Sequence, residues 1–179
     1  MKTIKKISLL LLLSISFVGC DKVKDLLTLN IDDVDMTQTT EISVAGSTSA
    51  APARVAAAST AFTKTATVQL SQIEDIKKYL DNIKSITLNT VMCKVTGVNN
   101  GVVQSLSLTA ANVTKSLSPI TVGVDMPVSF TNAELIQIAS SLLTNQKLDL
   151  VLNGTVSQAP VTFSITTTLN ADFVVKVVK

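Results

Sequence analysis

Few side chains in this 179-residue chain are equipped for chemistry. It has no histidine, which removes the usual general base at neutral pH, the Ser-His-Asp and Cys-His arrangements, and the commonest zinc ligand. The two cysteines are Cys20 and Cys93. Cys93 alternates in phase with Val91 and Val95 and is expected inside, as a small hydrophobe. The competing reading, a nucleophilic or redox thiol, has only Lys94 as a neighbouring cation, and that side chain points to the opposite strand face. Asp32, Asp33 and Asp35 offer oxygen ligands, and calcium is the metal they suggest. A hard cation needs about six oxygens, and the Asp-x-Asp-x-Asp-Gly loop with a distal Glu is missing, so a solvated strand end is expected, with no metal and no cofactor. Glu74 and Glu134 are the remaining acid pair for glycoside chemistry, but each is explained as part of a helix cap. Six glycines form no phosphate-cradling loop. No catalytic residue is assigned, and the chain is not expected to be an enzyme.

Binding chemistry is equally sparse. Sugar sites favour flat aromatic platforms, yet beyond the N-terminal segment there are only Tyr79 and the phenylalanines 62, 130, 163 and 173, all four on apolar faces. The Thr and Ser side chains on the polar strand faces read as solvated sheet surface.

The N-terminus is different in kind. Lys2, Lys5 and Lys6 precede an apolar run, Ile7 to Val18, broken only by Ser8, Ser14 and Ser16. Twelve helical residues span about 18 Å, short of a bilayer core of about 30 Å, so a removed secretory signal fits better than a spanning helix. Ordinary signal cleavage after Gly19 places Phe17 at a position that wants a small residue. Phe17-Val18-Gly19-Cys20 instead resembles the lipobox of bacterial lipoproteins, departing from it only at Phe17, where the family usually has Leu or another aliphatic residue. That resemblance covers about twenty residues. It implies cleavage before Cys20, a thioether-linked diacylglycerol and an N-acyl chain on Cys20, and stable attachment to a lipid bilayer. Asp21 next to the lipid site resembles an inner-membrane retention signal of enterobacteria, while acidic residues near the cysteine resemble a surface-export signal of Bacteroidota. The implied location is the cell envelope, the outer membrane ahead of the inner, with the leaflet left open.

Residues 1–19 thus read as signal peptide, 20–25 as lipid attachment and short tether, and 26–179 as one domain. All 13 acidic residues follow Gly19, and three of the 15 basic ones precede it, leaving 12 against 13. A near-neutral body with no basic stripe argues against nucleic acid as a partner. With Cys20 acylated, Cys93 has no intramolecular partner and the domain must stand on its core.

The elements that position these residues are mostly strands. Leu27, Leu29 and Ile31 share one phase, and the slip to Val34 and Met36 marks a bulge or an exit from the core. Ile42 and Val44 belong to a second strand, and the small-residue stretch 45–61 reads as a mobile loop. After a strand from Phe62 to Leu70, Ser71-Gln72-Ile73-Glu74 reads as a capping box, and Ile73, Ile76, Leu80 and Ile83 predict an amphipathic helix over about 71–84, with Glu74 and Lys78 paired on its wet side. Ile86–Val95 and Val102–Ala110, joined through Asn99-Asn100-Gly101, read as a hairpin. Apolar even positions from Ile120 to Phe130 predict a strand, and Thr131-Asn132-Ala133-Glu134 opens a second helix, about 131–144. Leu148, Leu150 and Leu152 follow, with Asn153-Gly154 as a turn or a bulge. Val161 to Val177 alternates for seventeen residues, about 56 Å, and is expected to bend, bulge or pair with two neighbours.

Val68, Leu70, Ser71, Glu74, Ile76 and Ile83 recur sixty residues on as Val128, Phe130, Thr131, Glu134, Ile136 and Leu143. The expected fold is therefore mainly β, an antiparallel β-sandwich of about 7–9 strands with two amphipathic helices, built as two related halves. In plan it resembles the small β-rich lipoproteins abundant in Bacteroidota. The function expected is a non-enzymatic, membrane-anchored binding or structural module with an envelope or surface protein as partner. The alternative is a carrier of an acyl chain or other apolar ligand, with Leu135, Ile136, Ile138, Leu142 and Leu143 lining its cavity.

Overall fold

Alternating side chains leave each strand one face to bury, and two sheets closing on each other meet that need. The computed structural model describes residues 28–46 and 59–177. Cys20, the tether, the signal and most of the loop expected at 45–61 lie outside them. Eight strands form two antiparallel sheets: β1 (Thr28–Val44), β2 (Thr60–Gln69), β3 (Ile83–Asn99), β4 (Val103–Ala110), β5 (Val113–Leu117), β6 (Asp125–Pro127), β7 (Lys147–Val156) and β8 (Val161–Lys176). One sheet runs β1-β8-β3-β6 and the other β2-β7-β4-β5. One cluster of buried side chains joins them, with Phe173, Met36, Leu106, Leu108, Leu150, Ile165 and Leu169 among its largest fully enclosed members.

The seventeen-residue terminal segment does what its length demands, pairing with β1 on one side and β3 on the other. Its odd positions are buried, including Thr167, whose hydroxyl lies 3.6 Å from the Cys93 sulfur. The slip after Ile31 is a β-bulge, in which Asp32 and Asp33 oppose Asp172 alone, and past it the two strands expected before residue 45 run as one, because β8 is long enough to pair with both stretches.

Only one of the two expected helices forms. Helix α1 (Asn132–Asn145) carries both halves of its capping box, with the Thr131 amide donating to Glu134 Oε2 at 2.7 Å and the Glu134 amide to Thr131 Oγ1 at 3.4 Å. Between β2 and β3, two 3-10 turns (Leu70–Gln72 and Lys77–Asn82) replace the helix expected over 71–84. Ser71 caps nothing, and Glu74 pairs with Lys77 instead of Lys78. Three-residue turns satisfy the spacing of Ile73, Ile76 and Leu80 as well as an α-helix does, and β-branched and aromatic residues there are weaker helix formers than the Ala and Leu of α1. Crossing between the sheets does not by itself exclude a helix, since α1 occupies the corresponding crossing from β6 to β7; the connection from Gln69 to Ile83 is the shorter of the two.

The expected hairpin is a crossing too. The turn at Asn100 (φ 50°) and Gly101 (φ 117°) is present, but β3 and β4 belong to different sheets. Asn153-Gly154 neither turns nor bulges, since β7 runs through both in unbroken register with β2. The apolar row at even positions 120–130 is split: Met126 and Val128 are buried, while Val122 and Val124 are half exposed.

The sixty-residue recurrence has a counterpart in the sheets. Exchanging β1 with β5, β2 with β6, β3 with β7 and β4 with β8 turns one strand order into the other. Register follows the same exchange. Ala66 opposite Leu150 and Thr67 opposite Asp149 correspond to Met126 opposite Cys93 and Pro127 opposite Met92. Leu108 opposite Leu152 corresponds to Ile165 opposite Val95, and the hydroxyl pair Thr109–Thr114 (2.8 Å) to Thr39–Thr166 (3.0 Å). Where the helix expectation fails, the equivalence fails with it: Ile76 is fully buried and Ile136 is 67% exposed.

Candidate functional site

The residues first considered for chemistry are each held in a structural role. Cys93 is fully buried, and burial pushes its thiol up to about 11 against a weaker opposing hydrogen bond from Thr167. A thiol so placed is neither ionised near neutral pH nor open to a reagent. The Asp cluster is dispersed along the edge of the β1-β8-β3-β6 sheet. The Asp33 amide donates to Asp172 Oδ1 at 2.9 Å, and Asp35 Oδ1 accepts from the Asn170 amide, which is itself joined to Asn89. Among the described residues no group of three or more His, Cys, Asp or Glu is arranged to hold a metal ion.

Glu74 and Glu134 are separately engaged, Glu74 by Lys77 and Glu134 by Lys115 at 2.9 Å. The Lys115 ammonium, followed by the Thr131 amide, holds the Glu134 carboxyl below its ordinary range. A depressed folded-state pKa contributes stability above the ordinary carboxylate value, and the contribution is lost as pH falls through the lowered one. Stability measured in urea at pH 7 and at pH 3 is therefore expected to differ more for the native chain than for Glu134→Gln, which keeps an oxygen for the cap. Parallel losses in the two proteins would remove this ion pair from the pH response.

Aromatic platforms are absent from the described surface. Phe62, Phe163 and Phe173 are buried, Phe130 is partly so, and the Lys78 ammonium lies 4.9 Å over the Tyr79 ring.

The concavity with the most apolar wall lies between α1 and β3. Ile86, Leu88, Leu135, Ile136 and Ala139 line a cleft of about 320 Å³, with Thr87, Asn132 and Ser140 at its polar margin. It exists because β3 outruns its neighbour. On the side away from β8, β3 pairs with β6 only from Met92 to Lys94, so Ile83 to Thr90 have no strand partner there among the described residues, and α1 packs beside them. Ile138 and Leu142 of α1 enter the core, and Ile136 stands outside. Of the five helix residues expected to line a cavity, Leu135 and Ile136 line this one, whereas Ile138 and Leu142 fill the core and Leu143 is not in the wall; Ala139 and the β3 residues were not foreseen. The available signal was Ile136, which falls off the stripe of Leu135, Ile138, Leu142 and Leu143.

Fold and site together define an antiparallel two-sheet β-sandwich with one capped helix and an apolar surface cleft. Compared with protein-family models, curated proteins and solved structures, the chain gives no significant match. No described helix is long and apolar enough to cross a membrane.

Proposed function

We propose that the chain is a lipoprotein of the bacterial cell envelope, whose β-sandwich acts as a non-enzymatic binding or structural module held to the bilayer through acylated Cys20. The observation that carries this reading is Phe17-Val18-Gly19-Cys20 placed directly after a basic start and an apolar run. The sandwich supports it by being under way at Thr28, so that at most seven residues separate it from Cys20. Seven intervening residues, fully extended, reach roughly 25 Å, so the body rides near the membrane. The side-chain inventory supports a binding role over catalysis, and the near-neutral charge supports a protein partner over nucleic acid. The outer membrane is favoured over the inner as its site.

A second reading, carriage of an acyl chain or other apolar ligand, is favoured by one observation, the apolar cleft against α1. Its volume sits at the small end of ligand sites, about 300–1,000 Å³.

Intact-mass measurement of the protein purified from its own membranes tests the anchor. The expected polypeptide begins at Cys20 and carries diacylglycerol and acyl mass, and Cys20→Ser shifts the protein to the soluble fraction. A mature chain that starts elsewhere, or one with no acyl mass, overturns the reading. Native mass spectrometry of the chain from Asp21 separates the two roles, because a co-purifying lipid supports carriage and a ligand-free mass counts against it.

A further inference from the structure

Among the described residues the longest edge strand is β1, seventeen residues paired on one side only. Such an edge presents a row of backbone donors and acceptors to any extended chain, and the nearest supply of matching strands is another copy of the same protein. β1 carries Asp32, Asp33, Asp35 and Glu41 and no Lys or Arg. The bulge at Asp32 and Asp33 also breaks the ladder between Ile31 and Val34, with Asp33 in the left-handed region (φ 57°) and its amide turned to Asp172 Oδ1. A bulge re-aims backbone groups that a straight edge would offer outward.

We propose that these four carboxylates and the bulge they flank keep a second copy of this chain from adding to the free edge of β1. Three registers of an antiparallel β1–β1 pair, unlike those centred on Met36 or Thr39, set carboxylates opposite one another. Centred on Gln38, Asp35 of each copy faces Glu41 of the other. Centred on Thr37, Asp33 meets Glu41, and centred on Asp35 that residue meets its own copy. Like charges directly opposite across strands are destabilising, and two-fold symmetry applies the Asp35–Glu41 and Asp33–Glu41 pairs twice each. The inference gives the acidic run singled out in the sequence a role in place of metal binding, and it is independent of whether the chain carries lipid.

Sedimentation equilibrium of the chain from Asp21, which contains the whole described sandwich, tests it. Asp35→Asn with Glu41→Gln is nearly isosteric and leaves an oxygen at residue 35 for the Asn170 amide. It is expected to tighten self-association by about tenfold, while the control Asp75→Asn with Asp81→Asn, which removes the same charge away from the edge, leaves the native value. Raising salt from 20 to 500 mM is expected to strengthen self-association of the native chain, by screening the same repulsion. This arm needs no substitution. An edge-neutralised protein as monomeric as the native one, a control that associates equally, or a native chain indifferent to salt each overturns the proposal.

Discussion

Gly154→Ala is expected to destabilise the sandwich by about 3 kcal/mol, at the upper end of the range for forcing atoms into a packed interior. The position is extended and central in its sheet, between Phe62 of β2 and Leu106 of β4. A Cβ there would lie 2.2 Å from the Ser105 carbonyl oxygen and 2.6 Å from Phe62 Cζ. The ring has little freedom to yield, because it packs edge-on against Phe163 with centroids 5.3 Å apart. The tighter contact is to backbone, so β4 itself must move. Adding Phe62→Leu, which clears the ring but not the carbonyl, is therefore expected to restore only a minor part of the loss. Urea unfolding of the single and double variants decides this. A Gly154→Ala protein as stable as the native one, or full rescue by Phe62→Leu, contradicts the close approach of β4.

Phe173→Ala is expected to remove about 3–5 kcal/mol, the usual range for a buried Phe. Phe173 is fully enclosed and belongs to β8, flanked by Ile31 on β1 and Ile86 on β3. Here the second 3-10 turn packs against β8 and α1 against the neighbouring β3. Two independent elements cannot both collapse onto the space a missing ring leaves. A domain of this size has a total stability of about 5–15 kcal/mol, so the urea midpoint should fall by more than about 1 M. A loss under about 1 kcal/mol would mean that this end repacks freely, and that the helix and turns are a loose cover.

The two variants also mark where reading the chain succeeds and where it stops. Phe173 was legible because alternation over Val161 to Lys176 assigns it an inward face whatever its neighbours are. Gly154 was not. Asn-Gly is a turn signal in isolation, and only the approach of Ser105 from β4, about fifty residues away in sequence, explains a glycine inside a strand. The 71–84 segment failed for a related reason: spacings of three and four residues suit a 3-10 turn or an α-helix, and the pattern does not record which of the two forms. At Thr131 and Glu134 local chemistry and tertiary setting agree, and the cap formed as expected.

The candidate site divides in the same way. Alternation placed Cys93 inside, and the phase slip at the acidic run was visible, but the run is not the strand end expected: it lies within β1, which pairs with β8 on both sides of the bulge. The cleft was not visible, since half of it is the unpaired edge of β3, and whether an edge is paired depends on how far β6 runs.

Local pattern thus determined most of the strands and their inward residues, the α1 cap and the bulge after Ile31, because these depend on side-chain type and a period of two or of three to four; β5 went unread, and the strand expected over 120–130 forms only as Asp125–Pro127. The tertiary structure alone decided which sheet each strand joins, that Asn99 to Gly101 crosses the sandwich, that Val122 and Val124 stay outside, and that α1 leaves an apolar cleft at the edge of β3. Those outcomes rest on contacts between segments far apart in the chain, and a periodic pattern records that a face must be buried without recording against what.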